Sequence, residues 1–372
     1  MKKILFMIPT LMHGGAEKVL VNLVNNLSRE KYDITLMTLF DEGVNKQYLK
    51  KDIKYKYVFK HIFKGNTKIL KLFSPQALYK RFIKDKYDIA VSYLEGPTAR
   101  IISGCPNKST KLVSWIHIEQ ENEKIFAYSF RTVSEARKCY NRFDRIVCVS
   151  DTVKKDFEKL LPFEMKHPID VIYNINETDA ICVKAKEQVE DIVFDKNTVN
   201  IVSVAKIMKT KGYDRLAAAH KRLIGEGYIH HIYILGIGEE KENIQKYIDE
   251  NGLGSSFTFL GFRDNPYKYV LKCDLYVCSS RREGFSTAVT EALILGIPVV
   301  STRCSGAEEL LGKNNEFGII VDNSEEGIYL GMKKLLSDKN ALAEYKKAAR
   351  KRGASFVKSE VLKANEDFFD SI

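Results

Sequence analysis

Short apolar runs, separated by stretches of amphipathic spacing, set the rhythm of the chain. Six runs in the first half read as strands: Ile4–Ile8, Ile34–Leu39, Tyr87–Tyr93, Lys111–Ile116, Arg145–Val149 and Ile169–Ile172. Six more follow: Val199–Val204, His231–Leu235, Phe257–Leu260, Asp274–Cys278, Pro298–Ser301 and Gly318–Val321. After the first run, Leu20, Leu23, Val24 and Leu27 fall on one face of a helix. Strands alternating with helices predict parallel sheets built from βαβ units, an α/β protein.

The polar, acidic stretch Asn174–Asn197 interrupts this rhythm and marks a boundary near residue 175. A chain of 372 residues exceeds one ordinary core, so two domains are expected. Their expected limits are 1–175 and 176–354, with 355–372 forming a last helix that packs back on the first domain. Two similar α/β halves imply a cleft between them.

Composition narrows the class. The chain is 45% hydrophobic and 29% charged, as in globular proteins, and no apolar run reaches the ~20 residues that cross a bilayer. Lys2–Ile8 before Pro9 is too short and wrongly flanked for a signal peptide. Seven cysteines without a CxxC pair fit a reducing cytoplasm and argue against a structural zinc site. The net charge of +11 is concentrated between Lys50 and Lys86, where twelve Lys/Arg face only Asp52 and Asp85. Tyr55, Tyr57, Phe59, Phe63, Phe73, Tyr79 and Phe82 are interleaved with them. Basic residues mixed with aromatics suit an anionic membrane surface. No nucleic-acid recognition motif accompanies the patch, so nucleic acid is not the expected partner. A merely solvated lysine face is the alternative.

Three constellations carry candidate chemistry. The turn Pro9-Thr10-Leu11-Met12-His13-Gly14-Gly15-Ala16-Glu17 joins the first strand to a helix, and its glycines let backbone approach a phosphate at the helix start. It lacks GxGxxG, so a nicotinamide dehydrogenase is disfavoured, and a ligand-free turn fits equally. Lys206 and Lys211 follow the first strand of the second half, where open α/β sheets bind ligands, and two ammonium groups suit a diphosphate. The strongest is Glu283-Gly284-Phe285-Ser286-Thr287-Ala288-Val289-Thr290-Glu291. Two carboxylates eight apart flank a helix start, with Gly284, Phe285, Ser286 and Thr287 between them. A dipole-complementing Glu283 is explicable without a ligand, whereas Glu291 among apolar residues is not. Asp264 and Ser150 read as helix caps. His117 ends an apolar strand and has a structural reading beside a functional one.

Taken in order, these residues resemble the retaining GT-B glycosyltransferases of family 4, nearly end to end. The resemblance rests on Gly14-Gly15-Ala16-Glu17, His117, Ile172-Tyr173-Asn174, Lys206 with Lys211-Gly212, and Gly236-Ile237-Gly238. It continues through Phe259-Leu260-Gly261-Phe262, the Glu283/Glu291 motif, and Gly296-Ile297-Pro298-Val299-Val300. Capsule and other cell-surface polysaccharide enzymes are the most similar branch. The resemblance implies two Rossmann-like domains whose parallel sheets face each other across a cleft.

It also implies roles. Gly14 and Gly15 approach the donor diphosphate, Lys206 and Lys211 bind it, Glu291 holds the ribose, and Glu283 holds the transferred sugar. His117 contacts that sugar near its reacting carbon, and Gly238, Gly261 and Phe262 lie by the nucleotide. Lys206 stands where the family usually has Arg, keeping the charge but losing bidentate geometry. Ser286 and Thr287 replace the commoner glycine and aliphatic residue.

The expected activity is retaining transfer of a hexose or N-acetylhexosamine from a nucleotide-diphosphate sugar, by preference a UDP-sugar, to a lipid-linked oligosaccharide. No cofactor or metal is expected, because no Asp-x-Asp motif stands in a suitable loop. The expected setting is the cytoplasmic face of the plasma membrane. A nucleotide-sugar epimerase or phosphorylase of the same fold, and a non-catalytic subunit of a transferase complex, are the rivals. The first two would need further catalytic or anion-binding groups. The third is marked by loss of Glu283 or Lys211, and both are present.

Overall fold

Strands buried on both faces need helices on both sides, and that is how the apolar runs are used. The computed structural model describes residues 1–161 and 168–372. It divides into two compact units, Met1–Ile175 with Ser359–Ile372, and Asn176–Lys358.

The first unit holds β1 (Lys2–Ile8), β2 (Tyr32–Phe40), β3 (Lys54–Phe59), β4 (Ile89–Ser92), β5 (Lys111–Ile116), β6 (Arg145–Cys148) and β7 (Asp170–Val171). They form one sheet in the order β3-β2-β1-β4-β5-β6-β7, parallel throughout. Ile4 to Ile8 of central β1 are fully buried.

Strand β3 corrects the expectation of six strands. Its sequence, Lys54-Tyr55-Lys56-Tyr57-Val58-Phe59, lies inside the segment read only as a basic patch. It is an edge strand, and its lysines turn outward to pair with Asp33 and Asp85. Phe59 turns inward against Phe40 and Phe63, with ring centroids 5.7 and 5.4 Å away. Lysines on a sheet edge hide the hydrophobic alternation and block edge-to-edge pairing.

The helix Lys358–Asp370 completes this unit. Phe369 is fully buried, 5.6 Å from the Phe6 ring and 6.1 Å from Trp115. Lys2 Nζ donates to the carbonyls of Phe369, Asp370 and Ile372, closing the helix end with a cation. The unit changes at Lys358/Ser359, later than the expected position 354. Thr178 Oγ1 donates to the Phe356 carbonyl, and Lys358 pairs with Glu177 at 3.0 Å, so the connecting residues stay with the second unit.

The second unit holds β8 (Val199–Val204), β9 (His230–Leu235), β10 (Phe257–Gly261), β11 (Leu275–Cys278), β12 (Val299–Thr302) and β13 (Ile319–Val321). Their order is β10-β9-β8-β11-β12-β13, again parallel. Each sheet therefore has one switch point, between β1 and β4 in the first and between β8 and β11 in the second. Chain connections leave these neighbours in opposite directions, which opens a crevice beyond their carboxyl ends. The polar stretch after residue 175 carries a helix, Thr178–Ala185, with no strand before β8.

Candidate functional site

At the second switch point, the loops leaving β8 and β11 are neighbours, and their charged residues meet there. Lys211 Nζ donates to Glu283 Oε1 at 2.7 Å, and Ser280 Oγ donates to the same oxygen at 2.6 Å. Burial pulls the Lys211 ammonium down, but the charge and hydrogen bond of Glu283 outweigh it and the pKa is raised. Lys211 is therefore a fixed cation at any physiological pH.

The two loops are stapled together by their backbones. Arg281 pairs with both oxygens of Asp214, at 2.7 and 2.6 Å, and its N–H donates to the Thr210 carbonyl. Arg215 donates to the Ser279 carbonyl at 2.8 Å, and Ser279 Oγ donates to the Lys211 carbonyl. Gly212 has φ +66, and a Cβ there would sit 2.1 Å from the Ser279 carbonyl oxygen. A side chain would force the loops apart. Gly238, after β9, meets the same limit: its Cβ would fall 2.0 Å from the Ile207 carbonyl oxygen. Three strand-end loops are thus packed backbone to backbone, the preorganisation a charged ligand requires.

Glu283 lies in the loop three residues before Ser286, the N-cap of helix Thr287–Ile294, whose Oγ accepts from the Val289 N–H. Glu291 is one turn into that helix. It is 9% exposed, and its Oε1 accepts from the Tyr267 hydroxyl at 3.2 Å. Gly284 and Phe285 are buried, while Ser286 and Thr287 are half-buried at the helix start.

The two candidate lysines differ. Lys206 is exposed and its side chain has no ion pair or hydrogen bond among the described residues, whereas Lys211 is held by Glu283. Gly261 ends β10 with φ +72, and Phe262 follows it exposed. Asp264 is exposed and is not the cap: the Tyr267 N–H is taken by Asn265 Oδ1 at 3.1 Å. Ser150 does cap its helix, accepting from the Val153 N–H.

The carboxyl edge of the first sheet is different in kind. His117 follows β5, is 9% exposed, and lies 4.7 Å from the Tyr93 ring. Its backbone N–H donates to Glu95 Oε2 at 3.0 Å. Its Nε2 is buried without a hydrogen-bond partner among the described residues. Burial lowers its pKa to about 3, so the imidazole is neutral. Gly14 caps helix Gly15–Asn26 in extended conformation, with no side-chain cap. The Glu17 carboxylate folds over it, where a Cβ on Gly14 would lie 2.0 Å from Oε2. The first turn of this helix already has an anion beside it, which complements its dipole.

The sequence did not single out Ser280, Tyr267, Arg281, Asp214 or Glu95. Ser280 stands three residues before Glu283, a spacing visible in the sequence. Tyr267 reaches Glu291 from a separate helix, Tyr267–Val270, and no local signal announces that contact.

Comparison with known proteins places these features. Residues 13–179 match the family model described as Glycosyltransferase Family 4, and residues 184–352 that described as Glycosyl transferases group 1. An N-acetylgalactosaminyltransferase of Campylobacter jejuni, named as acting on N-acetylgalactosamine-N,N'-diacetylbacillosaminyl-diphospho-undecaprenol, is 34% identical over 194 residues. That match covers 52% of this chain and 51% of the relative's length, about half of each. A lipopolysaccharide core glycosyltransferase of Rhizobium meliloti is 24% identical over 87% of this chain and 86% of its own. Among solved structures, Anabaena HepE in complex with UDP-glucose superposes with a TM-score of 0.79 at 18% identity, over 100% of both chains.

Proposed function

Because the chain belongs to the glycosyltransferases, a family 4 domain followed by a group 1 domain, we propose that it builds a surface glycan from a nucleotide-sugar donor. The donor is a UDP-sugar, and the transferred group a hexose or N-acetylhexosamine. The acceptor is a lipid-linked oligosaccharide at the inner face of the plasma membrane. The observation that carries this reading is the Lys211–Glu283–Ser280 cluster at the second switch point, with Glu291 on the adjoining helix. UDP-glucose in the HepE complex and the diphospho-undecaprenol acceptor of the Campylobacter relative support the choice of donor and acceptor.

In this mechanism Lys211, shared between Glu283 and the diphosphate, and the exposed Lys206 neutralise the leaving group. Glu291 accepts from the ribose hydroxyls, steadied by Tyr267. Glu283 accepts from hydroxyls of the transferred sugar. The bond from the anomeric carbon to the phosphate oxygen breaks as the acceptor oxygen forms its bond on the same face. The acceptor proton passes to the departing phosphate oxygen, so no separate base is required. Neutral His117 offers a hydrogen-bonding nitrogen to the sugar, not a charge. Gly14 and Gly15 take a secondary part, since Glu17 would have to move aside for a phosphate there. Lysines meet the developing charge, so we assign no metal to the reaction. Positioning and fixed charge of this kind lower a barrier by several kcal/mol.

The test is a panel of sugar nucleotides incubated with lipid-linked acceptors, with product anomers read by proton NMR. A UDP-sugar should be consumed with its anomeric configuration kept, at an unchanged rate in chelator. An inverted product, or turnover only with added divalent metal, would overturn the mechanism.

A further inference from the structure

Residues 60–84 contain seven Lys/Arg and no acidic residue. Within them lies the short helix Asn66–Leu72, followed by Phe73. Leu70 turns inward and is buried. Ile69 and Leu72 stand outward at i and i+3, and Phe73 follows them at the extended helix end; they are 45%, 74% and 53% exposed. Tyr128, 70% exposed, joins them, with Lys71 Nζ 5.9 Å from its ring centroid. Large apolar side chains held out at one helix end require a partner more than scattered ones do.

The backbone at this point is prepared to leave water. The four carbonyls at the helix end are each taken by a guanidinium. Arg100 donates to Leu70 at 2.9 Å and to Phe73 at 2.7 Å; Arg131 donates to Lys71, and to Leu72 at 2.7 Å. Arg100 is fully buried and paired with Glu135 at 2.9 Å, so the clamp is anchored in the unit. A helix terminus ordinarily leaves its last carbonyls to solvent, which is costly in an apolar environment. Here all four are satisfied by the protein itself, those of Leu70 and Phe73 by the buried Arg100 and those of Lys71 and Leu72 by Arg131 at the surface.

We propose that Ile69, Leu72 and Phe73 form a wedge that inserts shallowly into an anionic lipid leaflet, with Lys68 and Lys71 on the headgroups. This deepens the membrane-surface reading above and rests on it. Charge decides the occupant. Seven like charges would repel each other across a two-fold contact between copies, whereas a phosphate-bearing leaflet complements them. Apolar side chains with flanking cations are the two signals that hold a protein at an interface.

Vesicle partitioning tests the wedge, with phosphatidylglycerol set against phosphatidylcholine. Native protein, Leu72→Ser/Phe73→Ser and Lys68→Gln/Lys71→Gln are compared, with UDP affinity as the control for folding. The serine variant should partition at least ~10-fold more weakly onto anionic vesicles with its charges intact. The fluorescence of Phe73→Trp should be quenched by brominated acyl chains, since the sole native tryptophan, Trp115, is buried. If the serine variant binds as native does while the glutamine variant is released, the wedge is wrong and the electrostatic reading survives. If native protein ignores anionic vesicles, both fail. If the serine substitutions abolish self-association in solution and leave vesicle binding unaltered, the occupant is a second copy and the proposal falls.

Discussion

The carboxyl edges of the two sheets share a topology and differ in electrostatics. At the second, a fixed ammonium, a half-buried carboxylate and a hydroxyl converge within hydrogen-bond distance, on loops stapled by Arg281 and Arg215. At the first, the strand-end group is a neutral histidine with a buried, unpartnered nitrogen, and the glycine turn is already neighboured by Glu17. The same switch-point geometry thus provides an anion holder in one unit and an uncharged hydrogen-bonding edge in the other. Fold sets where a ligand can sit; the side chains decide what charge it carries.

The largest effect should come from breaking the charged edge. Lys211→Ala leaves the half-buried Glu283 without its cation and should weaken nucleoside diphosphate binding by roughly a hundredfold, read by calorimetry. Glu283→Gln keeps the shape and removes the charge. It should lower kcat by more than tenfold while donor affinity moves little, a split steady-state kinetics resolves. His117→Phe should lower kcat with nucleotide affinity intact, and the kcat profile should carry no inflection from His117 between pH 5 and 8. Tyr267→Phe should have the smallest effect, about a three- to tenfold loss of donor affinity, because Glu291 keeps its place and loses one donor. Equal losses in all four variants would erase the contrast between the edges.

His117 also carries a stability signature. Its pKa falls from 6.5 to about 3 on folding, so between those values the unfolded chain binds a proton that the native chain refuses. Acidification therefore favours unfolding. The contribution of the neutral histidine is complete above about pH 6.5 and is lost as pH falls toward 3. His117→Phe should flatten the urea-midpoint profile between pH 6.5 and 4, and an unchanged slope would show that the ring is solvated.

How much of this was legible in the sequence depends on the distance over which each feature is determined. The βαβ rhythm and the break after residue 175 are local and were readable from pattern alone. β3 was not, because lysines on an edge strand give a half-buried strand the look of a charged patch. Lys211 and Glu283 were each recognisable within their motifs. Their 2.7 Å contact was not, since it joins residues 72 apart through the adjacency of β8 and β11. Tyr267 at Glu291 and Arg100 at the helix end after Lys68 are likewise products of packing. Asp264 misled because capping chemistry belongs equally to Asn265, and only the path of the backbone selects between neighbours.

The most direct measurement is UDP binding by calorimetry to native protein, Lys211→Ala and His117→Ala under one buffer. The lysine variant should bind UDP far more weakly, and the histidine variant with native affinity. Native affinity in Lys211→Ala, or loss confined to His117→Ala, would contradict a diphosphate site on the second edge.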